Sequence, residues 1–355
     1  MATARVKGAS ENIHTFGTVG AGRDYQSMVT WESDHTINLA TADKSEILEC
    51  YDDAASFDIS GCTIAGATNS SATRFRCIRP GGTKTSGWQG HDGTPNNGFY
   101  IANTTAATVF SIQEAYFQLQ DLIVYSSYSS ASGIEMIYLT TNSANAKVVG
   151  CIGKAINAST GGTRVFAAAG AGSDKGFIDC LSYGVSSTAG DSTAFKMQAN
   201  SSVTVYAYNC TAVNTVGTNS TGWGFRMNVG VGTGTVVLTN CLSQGGTNPD
   251  ADFISDGTVT ATVTYCLSKD ATADDWAGAG NVISKTLTFA NAAGLDYHLA
   301  STDTDAIDAG TSLAATFDDD IDFTVRGASW DIGFDEYVAA GGGLDQSTKR
   351  IALCG

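Results

Sequence analysis

Five short phrases decide the fold: Val148-Val149-Gly150-Cys151-Ile152, Phe177-Ile178-Asp179-Cys180-Leu181-Ser182, Ala207-Tyr208-Asn209-Cys210-Thr211, Leu238-Thr239-Asn240-Cys241-Leu242-Ser243 and Val263-Thr264-Tyr265-Cys266-Leu267-Ser268. Their cysteines recur at intervals of 29, 30, 31 and 25 residues. A sixth copy, Leu119-Gln120-Asp121-Leu122-Ile123, carries Leu122 in the cysteine place, 29 residues before Cys151. A second column runs beside the first. Phe166, Phe195 and Phe225 each follow their cysteine by 15 residues, and Phe253 follows Cys241 by 12. A period of this length means one structural unit stacked on itself.

The unit is built of strands. The phrases are short, rich in Val, Ile, Tyr, Phe and Thr, and bounded by Gly, Asn, Ser and Asp. Helical periodicity is missing across the region. Only 3 prolines occur in 355 residues, so the strands keep their ladder donors, and 41 glycines supply tight turns. About 30 residues suffice for one turn of a parallel β-helix, whose rungs stack at roughly 4.8 Å. Like then lies on like, giving a cysteine ladder (Cys151, Cys180, Cys210, Cys241, Cys266) and a phenylalanine ladder (Phe166, Phe195, Phe225, Phe253). A β-sandwich is the competing reading, but it has no need of a constant residue at a constant interval. The phase of the strands around the cysteines stays open, because apolar residues flank the bend on both sides.

Composition narrows the partners. With 19 Lys and Arg against 35 Asp and Glu, the net charge is −16. That argues against nucleic acid and anionic membrane, which both select a basic surface. Stacked cysteines that point the same way make poor disulfide partners, so they read as small buried hydrophobes. The first residues, Met1 to Gly8, hold no apolar signal stretch, and no run approaches a membrane span. The expectation is synthesis in a reducing host cytoplasm without a signal peptide. An extracellular location is the alternative.

Along the chain, residues 1–60 read as an N-terminal cap with a short helix over Tyr25–Glu32, N-capped by Asp24. Such a plug is needed because a bare rung exposes core and strand edges. Glu46–Tyr51 and Asp58–Ile64 read as the first strands. Gly17, Gly20 and Gly22 lack the lysine and βαβ setting of a nucleotide loop. Residues 61–290 are the rungs, with a polar insertion from Pro80 to Gly98 that holds Trp88, His91 and Asp92. Residues 291–337 form an irregular C-terminal cap, and 338–355 a flexible tail.

Tyr297-His298-Leu299, Asp305-Ala-Ile-Asp308-Ala-Gly310, Asp318-Asp-Asp-Ile-Asp322, Arg326-Gly327 and Asp331-Ile-Gly-Phe-Asp335-Glu-Tyr337 appear in that order. The order resembles the C-terminal end of bacterial and phage right-handed parallel β-helix proteins, the pectate-lyase-like superfamily, whose usual ending looks like AIDAG…DIDG…R…DIGADEY. Phe323 stands where that pattern has glycine. The opening, from Arg23-Asp24-Tyr25 to Glu49-Cys50-Tyr51, is similar to the start of the same group. The resemblance covers about residues 14 to 337. It implies an all-β, right-handed parallel β-helix and says little of activity, since the group spans lyases, hydrolases, tailspikes and inert structural proteins.

Chemistry is sparse. A lyase of this fold wants an Arg base beside carboxylate-held Ca²⁺, and a glycosidase wants two carboxylates at a set separation. Neither pattern recurs in the repeats, so no catalytic residue is assigned. Asp121, Asp179, Asn209 and Asn240 align just before the ladder residue and read as a bend-stabilising stack. Asp318, Asp320 and Asp322 are the candidate metal ligands, for Ca²⁺, although they lack calcium-loop spacing; no other cofactor is expected. His14, His35, His91 and His298 show no zinc spacing. Trp88 and Trp223 are candidate glycan contacts. Lys349, Arg350, Ile351 and Leu353 sit in a tail that looks like the endings of small phage structural proteins, and it reads either as a docking peptide or as a disordered end.

The leading expectation is a non-catalytic structural protein of a bacteriophage virion surface, a capsid decoration or fibre component. It would contact other virion proteins and itself as a homo-oligomer, a trimer being one such state. The alternatives are a polysaccharide lyase or glycosidase of depolymerase-tailspike type, and a carbohydrate-binding surface protein.

Overall fold

The structure is a computed structural model. It describes residues 10–339 except 60, 69, 84–85, 96, 171, 201, 214, 218–221, 230–233, 246–250 and 257–258. The repeats coil into a parallel β-helix with three sheets, and the seven strands of the third sheet count about seven turns.

The first sheet stacks Glu11–Phe16, Ser45–Cys50, Arg76–Pro80, Gln118–Gln120, Lys147–Val149, Lys175–Ile178, Thr204–Tyr208, Thr235–Thr239 and Thr260–Thr264. Every pairing is parallel and follows the repeat, as in Val148↔Phe177↔Ala207↔Leu238↔Val263. These five side chains point inward and are fully buried. Glu11–Phe16 precedes the helix and already pairs with Ser45–Cys50; its mostly polar alternation carries no repeat phrase and so no strand signal in the sequence.

A sharp bend leads from the first sheet to the second. Its corner residue sits in the left-handed region in six successive turns: Asp121 at φ 54°, Gly150 at 60°, Asp179 at 50°, Asn209 at 51°, Asn240 at 54° and Tyr265 at 51°. Gly, Asn and Asp tolerate this conformation best, which explains the column seen in the sequence. Each corner N–H crosses to the next rung, as from Asp179 to the Tyr208 carbonyl at 3.0 Å and from Asn209 to Thr239 at 3.0 Å. The ladder therefore runs through the corner without a break.

Once the corner is fixed, so is the phase. Leu122 and the five cysteines point inward, whereas Ile123, Ile152, Leu181, Leu242 and Leu267 point outward. On the third sheet Phe166, Phe195, Phe225 and Phe253 stack inside, with centroids 4.9, 4.8 and 5.0 Å apart and planes within 13°. Eight cysteines, Cys50, Cys62, Cys77 and the five of the ladder, are free and buried among the described residues. Burial lifts the thiol pKa of Cys62 to about 12 and those of Cys50 and Cys210 well above the ordinary value.

Each end is plugged. At the N-terminal end Met28 and Trp31 of the helix Met28–Asp34 enter the core. The helix is capped by Ser27, whose hydroxyl accepts the Thr30 N–H at 3.2 Å. Asp24 serves elsewhere, accepting from the Thr15 N–H at 2.8 Å and hydroxyl at 2.9 Å. At the other end Ala273 enters the core and Trp276 and Ile283 pack against it. Val282 bridges to Leu267, and the Asn281 carbonyl oxygen of the side chain accepts the Cys266 N–H at 3.0 Å.

Candidate functional site

From about residue 285 the chain does not extend the coil. It doubles back along the outside of the bend as a strap. Leu287, Phe289, Tyr297, Leu299, Ile321, Ile332 and Phe334 cover the outward residues Ile152, Leu181, Leu242 and Leu267 of the second sheet. Phe317 and Trp330 cover Val149, Ile178 and Tyr206 of the first. An apolar stripe left outside the coil thereby becomes a second core.

The polar groups of the corner column are met by the same strap. The Asn209 amide donates to the Gly333 carbonyl at 3.2 Å, and the Asn240 amide to Thr311 at 2.8 Å. Thr311 N–H returns a bond to the Asn240 side chain at 2.9 Å, and Gly333 N–H bonds the Asn240 carbonyl at 2.8 Å. Arg326, fully buried at its side chain, reaches Asp179 at 3.1 Å, Glu336 at 3.2 Å and the Gly333 carbonyl at 3.2 Å. Burial disfavours the Arg326 charge, but Asp179, Asp320 and Glu336 outweigh it and raise its pKa. The bend column is thus a docking rail as well as a set of turn residues.

The acidic residues of the C-terminal motif have a local task. A segment without regular strands leaves its N–H groups in need of acceptors, and carboxylates supply them. Asp331 accepts from Asp308 at 2.7 Å and Tyr337 at 2.6 Å, Asp335 from Leu299 at 2.7 Å, and Glu336 from Gly327 and Asp331, both at 3.0 Å. Burial lifts Asp331 to a pKa of about 7 and Asp335 to about 6. His298, bonded to Asp296 at 2.6 Å, is lowered by burial and raised by Asp335 and Asp296, with a net rise.

The candidate calcium ligands belong to this strap. Asp320 is fully buried, and its two oxygens accept from Asp322 N–H at 3.2 Å, Thr324 N–H at 2.6 Å and Glu336 N–H at 3.0 Å. Asp322 accepts from the Thr324 hydroxyl at 2.9 Å, while Asp318 offers its backbone carbonyl to Arg326 N–H at 2.8 Å. These bonds define a tight turn, and the three carboxylates are not gathered round a common point.

The other candidates fall in different places. Trp88 is half-buried, gives its indole N–H to the His91 carbonyl at 3.0 Å and packs edge-on against Phe323 at 5.3 Å. Trp223 is buried beneath the Arg226 guanidinium, 4.1 Å from its ring centroid. On the outer face of the third sheet Glu135 pairs with Arg164 at 3.4 Å and Lys196 at 3.1 Å, and Asp191 with Arg226 at 3.1 Å. Charges scattered in sequence thus pair across rungs. A pair of carboxylates, Asp252 and Asp270, occurs near the C-terminal end of the coil, but each accepts the other's backbone N–H, at 3.1 and 3.0 Å, in a turn. Lys349, Arg350, Ile351 and Leu353 lie outside the described residues.

The histidines were the least legible. His91 accepts the Gly93 N–H on Nδ1 at 3.1 Å, so its Nε2–H donates to Gly150 at 2.6 Å, pinning the polar insertion to the bend column. His298 lies against Gly93 from the strap side. His14 and His35 meet at Glu46 at the N-terminal end. Parallel register over 34 residues creates that meeting, and no local spacing announces it. No protein-family model, curated protein or solved structure matches the chain.

Proposed function

We propose that the chain is a non-catalytic structural component of a bacteriophage virion surface, either a capsid decoration protein or part of a fibre. The observation that carries this reading is the strap. More than fifty residues brace the flank of a short coil; the perturbed groups Asp331, Asp335 and His298 bond within the brace, and Arg326 ties it to Asp179 of the coil. A stiff sealed rod suits a part that bears load and presents a surface. The net charge of −16 favours protein and glycan neighbours over nucleic acid. Homo-oligomer formation, with a trimer as the simplest rod-like assembly, belongs to the same proposal.

Quantitative mass spectrometry of purified particles from the source culture tests it. Copies comparable to the major capsid protein support a decoration or main-fibre role, and a few copies point to the tail. Absence from particles overturns the proposal. Glycan binding is the second reading, favoured by a hollow of about 610 Å³ lined by Asp52, Asp53, Asn97 and Tyr100, polar and aromatic groups suited to sugar hydroxyls. Glycan-array binding lost on Tyr100→Ala would favour that reading.

A further inference from the structure

The edge strand Glu11–Phe16 sets Asn12 opposite Glu46 and projects His14 to the same side. His35 arrives from the end of the helix Met28–Asp34. The His14 Nε2 lies 3.0 Å and the His35 Nε2 3.7 Å from Glu46 Oε2, and all three ligand atoms fall within 4.8 Å of one another. Glu46 is 1% exposed at its side chain.

Proton accounting shows what this cluster lacks. His35 Nδ1 is 2.8 Å from the Trp31 carbonyl, which can only accept. Nδ1 therefore carries the proton, and a neutral ring turns the Nε2 lone pair toward Glu46. Asn12 Nδ2 lies 2.9 Å from His14 Nε2 and 2.8 Å from Glu46 Oε2, closing a triangle. If the amide donates along both of its edges, the His14 lone pair faces the carboxylate. If His14 Nε2–H donates to Glu46 instead, it faces the amide N–H. Turning the amide over sets its oxygen against the carboxylate. Each arrangement leaves one edge mismatched, and a cation shared by the two imidazoles and the carboxylate removes the conflict.

We propose that His14 Nε2, His35 Nε2 and Glu46 Oε2 form a binding site for a divalent ion of the zinc class. Two imidazoles and one carboxylate are a borderline donor set that suits Zn²⁺, whereas Ca²⁺ wants six to eight oxygens. The outer partners are in place: the Trp31 carbonyl orients His35, and Lys44, 3.2 Å from Glu46 Oε1, turns Oε2 toward the histidines. A hollow of about 530 Å³ beside His14, lined also by Asp24, Tyr25 and Asp34, gives solvent and ions an approach to the cluster from that side. The ion would tie Glu11–Phe16, the edge strand of the first sheet among the described residues, to the N-terminal plug and to the next rung.

The test is a titration of chelator-treated full-length protein with Zn²⁺ by calorimetry and with Co²⁺ by visible absorption. One tight equivalent, four-coordinate Co²⁺ bands and a rise in melting temperature are expected. His14→Ala, the most exposed of the ligands, should weaken binding by about 100-fold or more, beyond the cost of losing an outer-shell partner. Glu46→Gln should do the same, and circular dichroism checks that each variant is folded. If Glu46→Gln fails to fold, His14→Ala alone decides. Binding that is unchanged in His14→Ala, or absent in the wild type at micromolar Zn²⁺, overturns the proposal.

Discussion

The inside of the coil and its strapped flank are held by opposite strategies. Inside, like sits on like: Phe166, Phe195, Phe225 and Phe253 stack at 4.8 to 5.0 Å, each ring on its counterpart in the neighbouring rung. On the flank, unlike meets unlike over long separations, as in Arg326 with Asp179, 147 residues away. Repetition alone yields a one-dimensional stack in which each unit is stabilised by its neighbours. The strap adds contacts to Asp179, Asn209 and Asn240 in three successive rungs. It therefore couples rungs that would otherwise be free to fray one at a time.

The sharpest way to break this contrast is Arg326→Met. Removing the guanidinium leaves Asp179 buried beside an apolar side chain, with Glu336 and the Gly333 carbonyl also deprived of a donor. Breaking a buried pair of this kind costs about 3–5 kcal/mol, and the extra partners place this one near the top. Denaturant melts should show the strap leaving before the coil unfolds, with proteolysis concentrated after residue 285. A single transition at wild-type denaturant concentration would mean that the flank is decoration and the coil stands alone.

Phe195→Ala attacks the other strategy. It deletes a ring stacked on both sides and leaves a void in a fully buried column, at a cost of about 3–4 kcal/mol. The loss should be global, because the strap rests on rungs that no longer register. Hydrogen exchange would accelerate in the rungs of Phe166, Phe195 and Phe225 together. Acceleration limited to one rung would show that the brace does not couple them.

A pH series separates the two regions without a mutation. Burial lifts Asp331 to about 7 and Asp335 to about 6 from an ordinary 3.8. A carboxyl whose folded pKa is raised contributes stability that is present in full below its unfolded pKa and lost as pH rises through the folded value. The net rise in the His298 pKa has the same sign. The strap should accordingly hold more tightly at pH 5 than at pH 8. Hydrogen exchange corrected for intrinsic rate should show residues 285–337 loosening with pH while the phenylalanine column stays unchanged. A strap that tightens toward pH 8 would contradict this assignment.

The same division explains what could be read from the chain. Cys151 to Cys266, Phe166 to Phe253 and the Asp179, Asn209, Asn240 corners are legible because stacking repeats them at the interval of a turn. Nothing repeats Arg326, Thr311 or Gly333, so the partners of the corner column stayed hidden although the column itself was visible. The motif residues Asp331, Asp335 and Glu336 could be placed near the C-terminus, but their position along the flank follows from an outward apolar stripe whose phase the sequence left open. Glu11–Phe16 and the His14, His35, Glu46 meeting depend on the pairing of that first strand, which carries no repeat phrase.

Cys180→Ala is the mildest probe and tests whether the cysteine column contributes cohesion or only fills space. Cys180 sits between Cys151 and Cys210, with its thiol 3.3 Å from the Ile178 carbonyl and 3.5 Å from Val148. Both carbonyls belong to strands of the first sheet, so the weak S–H contacts are secondary to their ladder bonds. Removing one buried sulfur should cost about 1 kcal/mol, on the scale of a buried methylene. Equilibrium denaturation reads this directly against Phe195→Ala. Thiol titration supplies the complement: the eight buried cysteines should resist a disulfide reagent until the coil opens, because burial denies the reagent access to the sulfur. A loss as large as that of Phe195→Ala would make the sulfur column a second cohesive ladder. Fast labelling in the folded state would show instead that the corner breathes under the strap, and the stiffness assigned to the flank would then have to come from the aromatic column alone.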